Sequence, residues 1–193
     1  LGQTLPVSPA ATSVAVAQDR AQEKAHFTRC GVPVAPHAVL ASAADVAAVY
    51  DALLPGILKT ARLGYDGKGQ ARVANRAALL AAWQARQTAD LGPRSAPSPG
   101  QTTSNTTVCV LEKMLPLAAE CSVVLARGHD GRMVHLPVQR NLHRDGILAV
   151  TEVWPDNVPA ELAREVVQAA QAVAEGFAYV GVLCVEFFVL NDR

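Results

Sequence analysis

The 193-residue sequence carries no surplus of charge, since 17 lysines and arginines stand against 17 aspartates and glutamates. Without a basic excess, nothing drives wholesale binding to nucleic acid or to an anionic membrane surface. There is no C-x-x-C: Cys30, Cys109, Cys121 and Cys184 are widely scattered. That spacing argues against a disulfide framework or a zinc site, and for reduced, buried thiols in a cytoplasmic protein. No apolar run is long enough to span a bilayer, because the longest, residues 179–190, is short and contains Glu186. No charged n-region followed by an apolar h-region opens the chain, so no secretory signal is read there. Asn105-Thr106-Thr107 is then a chance match to a glycosylation sequon. No internal repeat is present.

What is present is one sizeable core or two small subdomains' worth of chain, half of it hydrophobic. Residues 1–17 carry no charge and no helix start, and read as a segment leading in from an N-terminal domain outside this sequence. Residues 18–30 read as a helix closed by Gly31, and 32–36 as extended. Ser42 caps a second helix over 43–54, ended by Pro55-Gly56. Asn75 caps a third over 76–87. Residues 88–107, rich in Pro, Ser, Thr and Gly, read as a flexible insertion. Strands follow over 108–112 and 121–127. Asp130-Gly131 turns the chain into 133–138, and Asp145-Gly146 into 147–153. An amphipathic helix over 159–176 and a last strand over 179–190 complete the order. The mixture predicts an α+β protein with a small lobe and a larger antiparallel-sheet lobe.

The densest chemistry lies between residues 57 and 74. Lys59 sits in an apolar run, and five residues later begins Gly64-Tyr65-Asp66-Gly67-Lys68-Gly69-Gln70. Glycines that accept positive φ let backbone N–H groups close on an anion, and Lys59 and Lys68 add charge beside them. Alternation on both sides implies strand, glycine loop, strand rather than a P-loop opening a helix. By itself the loop is either an ordinary glycine hairpin or a phosphate clamp.

The full string is more specific. It resembles the phosphate loop of ATP-grasp ligases, and among them the 5-(carboxyamino)imidazole ribonucleotide synthases. A second stretch, Asn141-Leu142-His143-Arg144-Asp145-Gly146-Ile147-Leu148, resembles that family's N-x-H-x-D-G-I-L signature. The resemblance implies an ATP-grasp fold over 18–193, with a small lobe over about 32–112 that carries the glycine-loop hairpin. It implies a larger lobe over about 113–193, truncated at its C-terminus, and a nucleotide held between the lobes.

The resemblance also implies roles. Lys59, Gly64, Tyr65, Asp66, Gly67, Lys68, Gly69 and Gln70 hold ATP phosphates. Glu112, Lys113, Met114 and Leu115 form the hinge, where backbone groups meet the adenine edge. Glu120 accepts the ribose hydroxyls. His143 lies near the phosphates, with Arg140 and Arg144 as anion partners, and His143 and Arg144 are the catalytic candidates. Glu186 is a Mg²⁺ ligand. Without the resemblance, Glu112 and Glu120 read as solvent-facing charges at strand ends, His143 as a surface side chain, and Glu186 as solvent-facing or paired with an arginine. Ala149 departs from the pattern, which carries an arginine shortly after Ile-Leu. The family's second metal ligand, in an Asn-Glu pair, and a basic substrate loop have no counterpart before Arg193.

The activity implied is ATP-dependent carboxylation of 5-aminoimidazole ribonucleotide by bicarbonate in purine biosynthesis, with ATP and Mg²⁺ as cofactors. The expected partners are these small molecules, without nucleic acid or membrane, and assembly as a homodimer is left open. Two alternatives stand beside it. One is another ATP-grasp ligase, formyl-transferring or like biotin carboxylase. The other is a nucleotide-binding fragment without catalysis.

Overall fold

Local sequence places most of the elements, and long-range contacts correct the rest. The computed structural model describes residues 6–64, 69–89, 106–144 and 147–190. They fall into two compact units: Ala35–Met114, and the described residues up to Val34 together with those from Leu115 onward.

The unit Ala35–Met114 is built on a four-stranded antiparallel sheet, ordered β1 (His37–Leu40), β4 (Cys109–Lys113), β2 (Gly56–Thr60), β3 (Gln70–Val73). β2 and β3 are the two arms of the glycine-loop hairpin, with Lys59 opposite Gln70. Helix α4 (Arg76–Ala89) starts where Asn75 Oδ1 accepts the Ala78 N–H, satisfying a donor that a helix start leaves unpaired. Leu79 and Trp83, one turn apart on α4, enter a core with Leu40, Leu58, Val73, Cys109 and Leu111.

The other unit packs a five-stranded antiparallel sheet on a helix. Strand β5 (Leu117–Arg127) is its spine: β9 (Gly181–Leu190) pairs along one side. Two shorter strands share the other side, β6 (Met133–His135) and β7 (Gln139–Arg144), and β8 (Ile147–Glu152) pairs with β7. Helix α5 (Ala160–Gly176) buries Val166, Ala170, Val173 and Ala174, spaced for one helical face. They pack with Cys121, Val123 and Leu125 of β5 and Val185 of β9. Each valine buried there contributes on the order of 1.5–3 kcal/mol. Helix α2 (Arg20–Arg29) docks on α5 through His26, whose ring stacks on Phe177 and whose Nε2 lies 3.1 Å from the Val173 carbonyl oxygen.

Four expectations change. Residues 11–17, read as having no helix start, form α1 (Ala11–Ala17), a short helix with no side-chain cap. The helix expected over 43–54 stops early. Ser42 does cap it, through a reciprocal box with Asp45, but α3 is Ala43–Ala47, and a 3₁₀ turn, Asp51–Leu53, follows. Arg76 is the reason: its guanidinium binds the carbonyls of Ala47 and Val49 and the Asp51 carboxylate, capturing groups that a longer helix would use. Residues 139–144, left between the strands expected over 133–138 and 147–153, are themselves β7. Residues 88 and 89, assigned to the insertion, extend α4, and Thr107 is tied back by its N–H donating to Gln87 Oε1. The rest of that insertion, residues 90–105, lies outside the described residues, as do Tyr65, Asp66, Gly67, Lys68, Asp145 and Gly146.

Candidate functional site

In the unit Ala35–Met114, the site residues sit at one end of the hairpin. Gly69 closes the neck of the glycine loop: its carbonyl accepts the Thr60 N–H at 2.9 Å and the Arg86 Nε–H at 3.4 Å. Its φ is +80°, and a Cβ there would lie 2.8 Å from Thr60 Oγ1, so the position requires glycine twice over. Gly64 is the last residue described on the other arm of the loop.

Lys59 extends from β2 to Glu112 on β4, with Nζ 2.8 Å from Oε2. In the ladder Glu112 lies directly opposite Ile57, so Lys59 is its diagonal neighbour on one sheet face. Glu112 is 6% exposed, not the solvent-facing strand end that its position suggests when read alone. A carboxylate so buried needs a partner, and the ammonium supplies one. Lys113 ends β4, and its N–H donates to the Pro36 carbonyl while Met114 N–H donates to that of Pro55. The boundary between the two units falls in the chain just after Met114.

In the other unit, the face of the sheet turned away from α5 carries a cluster of polar side chains among apolar ones such as Val124 and Phe188. Strand alternation puts Glu120 and Ser122 of β5, Gln139, Asn141 and His143 of β7, and Cys184 and Glu186 of β9 on this face. Glu120 lies inside β5 rather than at its start, opposite Asn141 and Phe188. His143 Nδ1 is 3.0 Å from Glu120 Oε2, an ion-pair distance at an angle that makes no hydrogen bond. Glu186 is exposed and lies opposite Ser122. Its charge, after burial, helps push the Cys184 thiol above its ordinary value, while the Ser122 hydroxyl pulls it down.

Arg140 and Arg144 alternate to the opposite side of β7 from His143. Arg140 lies opposite the core residue Cys121, and it lines a cavity of about 450 Å³ with Asn157, Pro159, Glu161 and Leu162 at the start of α5. The structure thus brings His143 to Glu120 and does not bring it to either arginine's face. Ala149 is the extra residue of a β-bulge, since Leu142 pairs with Val150 and His143 with Leu148.

Four polar side chains on this face are absent from the sequence-derived site: the buried Ser122, Gln139 and Asn141, and the exposed Thr151. Ser122 donates to Gln139 Oε1, Asn141 Nδ2 donates to Ser122 Oγ, and Thr151 donates to Asn141 Oδ1. Their signal was available. Ser122 interrupts an apolar strand, and Gln139, Asn141 and His143 recur at a period of two. Among the described residues no group of three His, Cys, Asp or Glu side chains converges as a metal cluster. No described helix is long and apolar enough to cross a membrane.

Residues 25–193 match the model of the ATP-grasp domain. The N5-carboxyaminoimidazole ribonucleotide synthase of Pseudomonas aeruginosa is 36% identical over 192 residues, covering 99% of this chain and 48% of that protein. The crystal structure of the N5-carboxyaminoimidazole ribonucleotide synthetase from Thermus thermophilus superposes with a TM-score of 0.79 at 30% identity, covering 100% of this chain and 47% of that one. The N5-carboxyaminoimidazole synthetase from Staphylococcus aureus, solved complexed with ADP, gives 0.74 at 27% identity, covering 92% and 43%. The chain spans about half the length of the curated relatives it matches.

Proposed function

The chain belongs to the ATP-grasp family, and from that premise we propose that the protein containing it carboxylates 5-aminoimidazole ribonucleotide with ATP and bicarbonate. The products are 5-(carboxyamino)imidazole ribonucleotide, ADP and phosphate, and the reaction is a step of purine biosynthesis. The observation that carries this reading is the 36% identity over 99% of the chain to a synthase of that activity. Cytoplasmic residence and a homodimeric assembly go with the reading as expectations.

The chemistry has two stages. A bicarbonate oxygen attacks the γ-phosphorus of ATP, ADP leaves, and carboxyphosphate forms. The exocyclic amine then attacks its carboxyl carbon, phosphate departs with the bridging oxygen, and the amine loses a proton. Carboxyphosphate is unstable in water, so the protein must neutralise moving negative charge and exclude solvent.

The residues suit the first task. Lys59 supplies an ammonium beside the glycine loop, exchanging its Glu112 partner for phosphate oxygens when nucleotide enters. Gly64 and Gly69, with Tyr65, Asp66, Gly67, Lys68 and Gln70 between and beside them, form the phosphate cradle. Glu112, Lys113, Met114 and Leu115 border the adenine. In this structure the Lys113 and Met114 N–H groups donate to the Pro36 and Pro55 carbonyls. Glu120 accepts the ribose hydroxyls, as an acceptor-only carboxylate does well. His143, beside Glu120, is the residue proposed to act on the phosphates, and Arg144, at the end of β7, the one proposed to answer anionic substrate.

Magnesium fits the donor set. The ion keeps several waters and binds through one or two carboxylates plus substrate phosphates, so the exposed hard-oxygen carboxylate of Glu186 is a sufficient protein contribution from these strands. When bound, it supplies charge neutralisation across the phosphates. The test is ADP release by the full-length protein. We expect hydrolysis of Mg-ATP to accelerate when 5-aminoimidazole ribonucleotide and bicarbonate are added together, and no acceleration would overturn the assignment.

A further inference from the structure

The polar chain on the open sheet face is not explained by stability. Four uncharged polar side chains, on β5, β7 and β8, satisfy one another, whereas apolar residues of the same shape would hold the strands about as well. Ser122, Gln139 and Asn141 are 4%, 2% and 5% exposed. Thr151, at the end of the chain, is exposed, and the three buried members, hydrogen-bonded to one another, fix one geometry more sharply than apolar contact does. Here both ends of the Asn141 amide are engaged, Nδ2 donating to Ser122 and Oδ1 accepting from Thr151. The side chain therefore has one orientation, and with it β5, β7 and β8 have one relative placement on this face.

The neighbours of the chain are the residues that the functional reading needs. Asn141 lies directly opposite Glu120. Ser122 lies directly opposite Glu186. His143 is the next residue of β7 on the same face, and its Nδ1 approaches Glu120 rather than any member of the chain.

We propose that Asn141, locked between Ser122 and Thr151, is a positioning residue that sets where His143, Glu120 and Glu186 stand relative to one another. It rests on the functional reading above for its consequence, but not for its geometry. Asn141 acts through its neighbours and is not a catalytic residue.

The test uses the full-length protein and the variants N141A, S122A, S122T and T151V, with two readouts. In nucleotide-free protein labelled with ¹⁵N-histidine, N141A and T151V are expected to move the His143 ring resonances, although neither residue is hydrogen-bonded to His143 Nδ1. S122A should do the same, and S122T, which keeps the hydroxyl, should restore them. In turnover, N141A is expected to lower kcat by about tenfold or more with KM for ATP changed far less, since small misplacement acts on the reacting geometry. A lowered thermal midpoint with His143 resonances and kcat unmoved would overturn the proposal and leave a purely structural network. If the wild-type protein fails to turn over, the functional reading falls alone, and the His143 resonances still decide the positioning role.

Discussion

Lys59 and Glu112 form a pair 2.8 Å apart on adjacent strands of one sheet, with the carboxylate side chain 8% and the ammonium side chain 18% exposed. The residue assigned to ATP phosphates by its sequence context is thus also the partner that makes a buried carboxylate tolerable. The two roles are separable by mutation.

Removing Lys59 takes from the buried Glu112 carboxylate the cation it is paired with. We expect Lys59→Met to cost on the order of 3 kcal/mol in urea denaturation, because it leaves the Glu112 charge buried without its ammonium. Lys59→Met with Glu112→Gln should recover much of that loss. Mg-ATP binding, measured by calorimetry, should weaken in both. A double variant as unstable as the single one would show that the pair is not the source of the effect.

Two glycines separate strain from collision. Gly31 and Gly69 have φ near +73° and +80°, but a Cβ meets nothing at Gly31 and Thr60 Oγ1 at 2.8 Å at Gly69. Gly31→Ala should cost roughly 1–2 kcal/mol from backbone conformation alone. Gly69→Ala should cost more, by the amount of the collision. Equal losses in chemical denaturation would contradict the closed neck of the loop.

The thiols give a pH prediction with a definite sign. Burial pushes Cys121 from its ordinary 9.0 up to about 11, and raises Cys109 as well. A group whose folded pKa is raised favours the folded state below its unfolded pKa, and that advantage is lost as pH rises through the folded one. Stability should therefore decline between about pH 9 and pH 11, more steeply than in the Cys121→Ala variant. At pH 8 a thiol reagent should modify exposed Cys184 first and leave Cys109 and Cys121 intact until unfolding.

Much of this architecture was legible because its signals are local. Asn75 announces α4, Gly31 closes α2, and the alternation around Lys59 and Gln70 gives the hairpin arms. The corrected elements depend on distant partners. Arg76, far along the chain, ends α3 by taking its carbonyls, and no local feature near Ala48 says so. β1 is four residues that exist as a strand through their ladder with β4. β7 hid because its outward residues are polar on one face and exposed on the other, so no apolar alternation marks it. In the site, the residue types of Lys59, Glu120, His143 and Glu186 were readable from motifs. The period of two in Gln139, Asn141 and His143 marked the Asn141 chain only as one face of a strand, since its hydrogen bonds are contacts across three strands.

In the proposed reaction bicarbonate is activated by phosphorylation, and oxygen labelling follows that transfer atom by atom. Full-length protein is supplied with Mg-ATP, 5-aminoimidazole ribonucleotide and ¹⁸O-bicarbonate, and the released phosphate is analysed by mass spectrometry. Because the bridging oxygen of carboxyphosphate originates in bicarbonate and leaves with phosphorus, the account predicts phosphate carrying one ¹⁸O together with carboxylated ribonucleotide. Phosphate whose fourth oxygen comes from solvent rather than from bicarbonate, with no carboxylated product, would contradict it.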